Sequence, residues 1–273
     1  VEASISWTRC PGDGTTLTRQ AVAQGAARIV ACGGDGTIHE VVNGLMEGPT
    51  QEKSVDMGIL PMGRCNDLAT TLRLPRALPA VLETLLPGTF RRIDLGRVGE
   101  KYFTTVATLG FDSAVNQYVL NRSSLFSQRG TVAYLYGFFA NLFRYKDVWV
   151  RMRGDFGEFH GYIFLAATGN TPTYAGRLKI APSAVVDDGL LNTCLVRSVS
   201  RWEVLRMLPR IFSGGHVSHP AVSMESIRRL EIESREPLWI FADGERITQT
   251  PTTIEVIPRA LSVVVLPSSF VPA

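Results

Sequence analysis

Apolar and polar positions in the first third of the chain alternate between strand-like and helix-like spacing. Short apolar runs predict three strands, and apolar residues recurring every three to four positions predict three helices. Thr15 or Thr16 is the candidate cap of the first helix, and Pro87 with Gly88 would close the last one. This β-α-β-α order predicts a parallel sheet covered by helices. The predicted strands cover residues 3–8, 28–32 and 57–60, and the predicted helices cover residues 17–26, 38–46 and 78–86.

Strand-like patterns dominate from about residue 92 onward. Many of these segments alternate apolar and polar residues, as antiparallel strands with one solvated face do. Two helix-like intervals interrupt them, at 112–120, extending towards residue 143, and at 201–212. We therefore predict a second domain that is mainly β, with a sandwich architecture. Its predicted strands cover residues 92–98, 102–109, 148–153, 162–168, 190–196, 229–234, 239–242, 253–257 and 261–266.

Composition narrows the class of protein. Of the 273 residues, 45% are hydrophobic and 19% are charged, so the chain can form a sizeable core and is not disordered. The formal net charge of +3 is too small to indicate or to exclude a nucleic-acid partner. Because no dense basic stripe accompanies that charge, a nucleic acid is not an expected partner.

The distribution of cysteines and apolar runs bears on location. Four cysteines are scattered without metal-ligand spacing, which is typical of reduced thiols in a cytoplasmic protein. The first ten residues lack a signal-peptide pattern, and the most apolar stretch, 132–143, is too short to span a bilayer. We predict that residues 134–143 form a core-facing helix. The alternative is a peripheral membrane contact edged by Arg144 and Lys146.

The tetrapeptide GDGT occurs twice, at 12–15 and at 34–37. Only the second copy follows a predicted strand and opens a helix, the arrangement in which backbone N–H groups and the helix dipole bind phosphate. Gly33 and Gly34 would let a ligand approach the backbone, and Asp35 would place a carboxylate where Mg²⁺ can bridge to phosphates. The first copy follows Pro11 and is predicted to be an ordinary loop. Neither copy matches a Walker A loop or a dinucleotide-binding turn.

The longer string GGDGTIHEVVNGL, at 33–45, is more specific than the turn alone. It resembles the diacylglycerol kinase catalytic-domain family, which includes soluble bacterial lipid kinases and is related to sphingosine and ceramide kinases. Glu40, Val41, Asn43 and Gly44 match the helix that follows the family's turn. NAD kinases and phosphofructokinases share a related turn without this continuation.

Four further stretches resemble the same family in chain order. Residues 60–69 (LPMGRCNDLA) resemble its second nucleotide loop, with Arg64 where the family usually has Thr; a guanidinium can itself bind phosphate. The other three stretches are IDLG at 93–96, APSAVVDDGLL at 181–191 and ADGE at 242–245. The resemblance runs from about residue 3 to about residue 266. The family's usual first strand, ending in Asn-Pro-x-x-Gly, is not found in this sequence.

The resemblance implies an α/β plus β fold. Residues 1–95 would form a three-layer α/β nucleotide-binding domain similar to those of NAD kinase and phosphofructokinase. Residues 96–257 would form a lipid-binding domain, mainly an antiparallel β-sandwich, and segment 258–273 would return to the first domain.

The resemblance also implies the ligands and the residues that hold them. ATP and Mg²⁺ are the expected cofactors, with Asp35, Asp67 and Asp94 in the network around the catalytic Mg²⁺. A second, structural Mg²⁺ would be held by the Asp188 carboxylate with the backbone carbonyls of Val185 and Leu190. The residues expected to bind the nucleotide are Gly33, Gly34, Asp35, Gly36, Thr37, Glu40, Gly63, Arg64, Asn66 and Asp67.

Plainer interpretations stand beside these roles. Asp67 also suits a helix cap, Asp94 a turn at a strand end, and Asp188 a β-turn in which Asp187 is an alternative ligand. The four histidines lack ligand spacing, and His39 is predicted to be an exposed helix residue.

The function that the resemblance implies is ATP- and Mg²⁺-dependent phosphorylation of a lipid hydroxyl, of diacylglycerol or a related lipid at a membrane surface. Asp243 would accept the hydroxyl proton, and Glu245 would support it. The alternatives are an NAD kinase, which the EVVNG string disfavours, and a lipid-binding or regulatory protein of the same fold without catalysis. Whether the chain forms a homodimer stays open.

Overall fold

The computed structural model describes residues 3–47, 55–85, 89–122 and 130–266. By internal contacts the chain divides into two compact units, one formed by residues 1–93 and 259–273 and the other by residues 94–258. No helix among the described residues is both long and apolar enough to cross a membrane.

Helices and parallel strands make up the first unit. Strands β1 (Arg28–Gly33) and β2 (Asp56–Pro61) run parallel, with Ala31 opposite Ile59, because helix α2 (Asp35–Met46) carries the chain back between them. The final part of strand β13 (Thr252–Val264) also runs parallel to β2. The remaining helices of this unit are α1 (Asp13–Ala23), α3 (Asp67–Thr71) and α4 (Leu78–Leu85).

Two expectations for this unit are corrected. Residues 3–9 do not form the predicted strand: they are exposed, and a strand needs a partner whose backbone pairs with its own. Helix α1 begins at Asp13 rather than at residue 17, so the first GDGT lies in a helical turn and not in an ordinary loop. Residues 86–88, where the sequence predicts the end of α4, lie outside the described residues.

Antiparallel strands make up most of the second unit. They share one core of buried side chains, including Phe103, Met152 and Leu230, as the strands of a sandwich do. Strand β13 contributes its first half to this unit by pairing with β10. The other strands are β3 (Phe90–Val98, which enters from the first unit), β4 (Lys101–Phe103), β5 (Val106–Gly110), β6 (Val148–Gly154), β7 (Gly157–Gly169), β8 (Leu191–Arg197), β9 (Val222–Ile227), β10 (Arg229–Ser234), β11 (Trp239–Ala242) and β12 (Glu245–Gln249).

Helices cover the outer face of several of these strands. A second buried cluster joins Phe164 of β7 and Cys194 of β8 to side chains of three helices. Strand β8 is buried on both faces as a result. The three helices are α5 (Phe111–Leu120), α6 (Gly130–Leu142) and α7 (Arg201–Ile211), and a short 3₁₀ helix covers Gly215–Ser218.

Candidate functional site

Two glycine loops of the first unit lie in direct backbone contact. Helix α2 begins at Asp35 immediately after β1, with extended Gly34 before its first turn. A Cβ atom added to Gly63 would lie 2.4 Å from the Cα atom of Gly34, so neither position leaves room for a side chain there. A Cβ atom on Gly33 would lie 2.3 Å from Thr37 Oγ1. The glycines of the predicted phosphate turn are therefore needed for this packing.

The Asp35 side chain ties the second loop to the first. Its two carboxylate oxygens accept hydrogen bonds from the backbone N–H groups of Asn66, at 2.9 Å, and Asp67, at 2.8 Å. Asn66 has a left-handed backbone (φ 51°), and its side chain accepts from Gly63 N–H at 2.9 Å and donates to Gly63 O at 2.7 Å. These contacts hold residues 63–67 against the start of α2.

The same loop brings together side chains that could hold a metal ion. Ligand atoms of Asp35, Cys65 and Asp67 lie within 4.8 Å of one another. The two carboxylates suit Mg²⁺, which prefers oxygen ligands, whereas the Cys65 sulfur does not. Burial raises the pKa of the Cys65 thiol, and the negative charges of Asp67 and Asp35 raise it further. The thiol therefore stays protonated at neutral pH, and the two carboxylates are the fitting ligands.

Glu40 holds the other GDGT turn in the structure. Its carboxylate oxygens accept hydrogen bonds from Gly12 N–H and Gly14 N–H, each at 2.8 Å, and its backbone oxygen accepts from Thr15 Oγ1 at 2.9 Å. Glu40, which the sequence analysis expects to bind the nucleotide, thus fixes the start of α1. His39 is buried rather than exposed, with Nε2 3.3 Å from Asn43 Nδ2, because it faces the packed side of α2.

The structure places Asp94 with the loop around Asp188 in the second unit. Asp94 N–H donates to Val186 O, and its carboxylate accepts from Gly189 N–H, both at 2.6 Å. Asp188 Oδ1 accepts from Leu190 N–H at 3.0 Å. Burial and the nearby negative charge of Asp94 both raise the pKa of Asp188. A cation at this loop would offset that repulsion, and the Asp188 carboxylate with backbone carbonyls is a fitting oxygen donor set.

Asp243 lies in a tight turn after β11, with φ of 52° followed by 85° at Gly244. One carboxylate oxygen accepts from Thr104 N–H at 2.9 Å, and the other accepts from Thr105 N–H at 2.8 Å and Thr105 Oγ1 at 2.6 Å. These bonds hold the carboxylate in one orientation. Glu245 begins β12 and is exposed.

Asn170 is a candidate site residue that the sequence analysis missed. Its side-chain nitrogen donates to the backbone oxygens of Asp94, at 2.8 Å, and Thr104, at 3.1 Å, and its own N–H donates to Thr105 O at 2.7 Å. Within the part of the chain that the structure describes, its buried Oδ1 has no hydrogen-bond partner. Asn170 therefore links the backbone of Asp94 to the two threonines that hold Asp243. In the sequence, Asn170 follows a predicted strand and precedes Thr-Pro, a pattern that predicts a turn but no role in a site.

A buried polar cluster at Asp112 was also missed. Tyr134 and Tyr174 both donate hydroxyl hydrogen bonds to Asp112 Oδ1, and Asn116 Nδ2 donates to Oδ2 at 3.1 Å. Burial, and after it the charge of Asp112, raises the pKa of both tyrosines well above its ordinary value. Both phenols stay neutral donors, so the cluster acts as a structural polar centre beside α5.

Comparison with known proteins gives two family models that together span most of the chain. Residues 1–98 match a diacylglycerol kinase catalytic domain, and residues 105–265 match the YegS C-terminal NAD kinase beta sandwich-like domain. Together these matches agree with the α/β plus β-sandwich fold that the sequence predicts.

Curated relatives and a solved structure agree with these models. The chain is 30% identical over 250 residues to a diacylglycerol kinase of Staphylococcus carnosus, covering 92% of this chain and 80% of that protein. It is 31% identical over 244 residues to one of Staphylococcus saprophyticus, covering 89% and 78%. A diacylglycerol kinase structure from Bacillus anthracis has a similar fold, with a TM-score of 0.76 at 21% identity, covering 96% of this chain and 85% of that one.

Proposed function

This chain belongs to the diacylglycerol kinase family, and from that membership we propose that it transfers the γ-phosphoryl group of ATP to a lipid hydroxyl in the presence of Mg²⁺. A diacylglycerol is the acceptor to test first, because the relatives from both Staphylococcus species bear that name. One observation carries the proposal: Asp35 joins two glycine loops at the start of a helix, where the chain can bind a polyphosphate.

Backbone groups would bind the nucleotide phosphates. The first N–H groups of α2 have no partner within the helix and carry the positive end of its dipole. Gly34 and Gly36 leave this backbone uncovered by side chains, and exposed Arg64 adds a positive charge on the neighbouring loop. Uncovered N–H groups and a guanidinium are the groups that recognise phosphate oxygens in proteins.

Asp35 and Asp67 would hold the catalytic Mg²⁺. Asp94, which the family resemblance adds to that network, is hydrogen-bonded to the loop around Asp188 in the second unit. When bound, the ion supplies positive charge that neutralises the phosphate oxygens. Asp35 also fixes the backbone of residues 66 and 67 through its two accepted hydrogen bonds. Asp188, with the carbonyls of Val185 and Leu190, would hold a structural Mg²⁺ in the second unit.

Asp243 would accept the proton of the lipid hydroxyl. A hydroxyl is a weak nucleophile at neutral pH, and a carboxylate in a fixed position can orient it and take its proton. The bonds from Thr104 and Thr105 supply that fixed position. Glu245, two residues away and exposed, is the next candidate for the same role. The lipid would be taken from the cytoplasmic face of a membrane.

A transfer assay tests the proposal. The chain is incubated with γ-labelled ATP, Mg²⁺ and either a mixed lipid extract or a diacylglycerol, and the labelled products are separated. Label in a phosphorylated lipid, lost when EDTA removes Mg²⁺, is the expected result. Label in NADP after addition of NAD would instead indicate an NAD kinase. Absence of label in every acceptor, while lipid is still bound, would indicate a binding protein without catalysis.

A further inference from the structure

Helix α6 is apolar on both of its faces. Phe138 and Leu142 are buried in the helix-covered core of the second unit. On the opposite face Tyr136 and Phe139 are each 54% exposed, and Phe143, one residue beyond the end of the helix, is 59% exposed. A helix that is apolar all round is normally buried or in contact with a membrane. The sequence-based expectation of a core-facing helix therefore accounts for only one of the two faces.

Helix α7 extends the exposed aromatic face. Trp202 is 66% exposed, and its ring lies 5.7 Å from the ring of Phe143 in an edge-to-face arrangement. We call Tyr136, Phe139, Phe143 and Trp202 the aromatic ridge. Two arginines, Arg206 and Arg210, follow Trp202 at intervals of four residues, so all three lie on one exposed face of α7. Aromatic and cationic side chains thus form adjacent parts of one surface.

The charge around the aromatic ridge is positive. Arg144 and Lys146 are exposed just after α6, and Arg206 and Arg210 are exposed on α7. The two acidic residues of these segments have local partners, and the charge of Glu203 also interacts with that of Arg206. Asp147 accepts from Arg201 at 2.7 Å. Glu203 accepts from Ser200 N–H at 3.0 Å in a capping box and lies 4.0 Å from His219.

We propose that the aromatic ridge docks on an anionic lipid bilayer, with the four surrounding cations contacting lipid headgroups. Aromatic rings prefer the boundary between hydrocarbon and headgroups, and lysine and arginine side chains extend from apolar surface towards negative charge. A second copy of this chain is a poorer occupant, because a self-complementary contact would bring these like charges together. The inference rests on the proposed function, since an enzyme that phosphorylates a membrane lipid must reach the bilayer.

Vesicle binding tests the proposal without requiring catalysis. The chain is sedimented with vesicles of phosphatidylcholine alone and with vesicles containing 30 mol% phosphatidylglycerol. We expect binding to the anionic vesicles only. The double variant Phe143→Ser/Trp202→Ser should weaken it at least about tenfold through lost apolar contact. The double variant Arg206→Gln/Arg210→Gln should weaken it about fivefold for each charge removed.

Matched variants control for general effects of the substitutions. Trp7→Ser removes another exposed tryptophan, and Arg228→Gln/Arg229→Gln removes two other adjacent exposed arginines with the same change in net charge. Both controls should bind vesicles like the wild type. Equal binding by the ridge variants and these controls would overturn the proposal. A wild-type dimer that the ridge variants convert to monomers, with vesicle binding unchanged, would assign the surface to a second copy instead.

A second assay separates this inference from the proposed function. Transfer of phosphate to a short-chain diacylglycerol dissolved in water does not require docking, so the ridge variants should keep wild-type turnover there. On the same lipid in anionic vesicles they should lose turnover in proportion to their lost binding. Vesicle binding that depends on the ridge, without transfer to any lipid, would refute the proposed function and leave the docking surface intact.

Discussion

At the scale of single residues, the two GDGT tetrapeptides show how position decides the role of one side chain. Asp13 serves its own turn, accepting hydrogen bonds from Arg9 N–H at 2.7 Å and Cys10 N–H at 3.1 Å. Asp35 reaches a different loop and accepts from the backbone of Asn66 and Asp67. The difference arises because β1 delivers the second copy to the edge where β2 ends. Only Asp35 can therefore couple two loops.

This difference predicts unequal effects of the same substitution. Asp35→Asn removes the negative charge and one of the two strong acceptors, so turnover should fall at least about a hundredfold, comparable to the loss of one strong electrostatic stabiliser. The free energy of unfolding should drop by only about 1–3 kcal/mol, because a single part-buried hydrogen bond is affected. Turnover and thermal unfolding of the same preparation measure both effects.

Asp13→Asn is the matched control, because it changes the same residue in the same tetrapeptide. We expect it to keep turnover within a few-fold of the wild type. Near wild-type turnover in Asp35→Asn, or an equal loss in both variants, would contradict the assignment of the second turn to the nucleotide.

At the scale of elements, the segment at 102–109 shows where local pattern stops being sufficient. Its apolar and β-branched residues predict one strand, but the structure has β4 and β5 with a break at Thr104 and Thr105. The break coincides with the two backbone N–H groups that donate to Asp243, a residue 138 positions beyond Thr105. A strand is interrupted here because a distant carboxylate takes the donors that a neighbouring strand would use.

The difference between local pattern and contacts of distant segments also explains what the sequence could predict. Strands β10 and β11 match their predicted bounds: β10 alternates buried and more exposed residues, and β11 is a short apolar run. The grouping of Asp35 with Asp67 came from the family resemblance, and the structure brings these two side chains together. Three other features could not be predicted from the sequence: the hydrogen bonds of Glu40 to the α1 turn, the burial of His39 and the link through Asn170. Each depends on which segments meet in space.

Asp243→Asn tests the role of the interrupted strand. The amide keeps one acceptor oxygen but cannot take a proton, so turnover should fall roughly a hundred- to ten-thousandfold. ATP affinity should be kept, since all of the proposed nucleotide contacts belong to the first unit. Thr105→Val is the matched control: it removes one hydroxyl donor while both backbone bonds to Asp243 remain. Thr105→Val should therefore lower turnover by at most about tenfold.

The two variants together separate chemistry from positioning. Equal losses in Asp243→Asn and Thr105→Val would indicate that the carboxylate acts through the shape of the turn. Wild-type turnover in Asp243→Asn would exclude it as the base and direct the test to Glu245→Gln.

The loop at Asp188 gives a metal-dependent prediction. Because burial and Asp94 raise the pKa of Asp188, the ionised carboxylate is costly there without a cation. Mg²⁺ at about a hundred times its dissociation constant should add about 2.7 kcal/mol to the free energy of unfolding. In nucleotide-free protein, Asp188→Ala should abolish this rise in Tm, and Asp187→Ala should keep it. If the rise in Tm were lost only in Asp187→Ala, Asp187 rather than Asp188 would be the metal ligand.

At the scale of the whole molecule, stability depends on buried groups that must stay neutral. His216 lies in the short 3₁₀ helix, with Nε2 3.3 Å from Ile180 O and 3.8 Å from Cys194 Sγ. Burial lowers the pKa of His216, and the hydrogen bond to Ile180 O offsets part of that effect. Burial also raises the pKa of Cys194 to about 12, so the thiol beside it stays neutral. No opposite charge in these contacts would stabilise a protonated imidazole.

These contacts predict that acid weakens the fold through His216. An unfolded histidine takes up its proton near pH 6.5, whereas the folded residue does so only at a lower pH, so the unfolded chain binds more protons between the two values. Stability should therefore fall as the pH drops from 6.5 towards the lowered pKa, by at most about 1.4 kcal/mol per pH unit for this one group.

Urea unfolding at pH 7.5, 6.5 and 5.5 should show a shallower loss of stability for His216→Asn than for the wild type. The control is His160→Asn, whose side chain is exposed in the folded chain as well; it should keep the wild-type slope. Equal slopes in the wild type and His216→Asn would show that other groups carry the acid sensitivity.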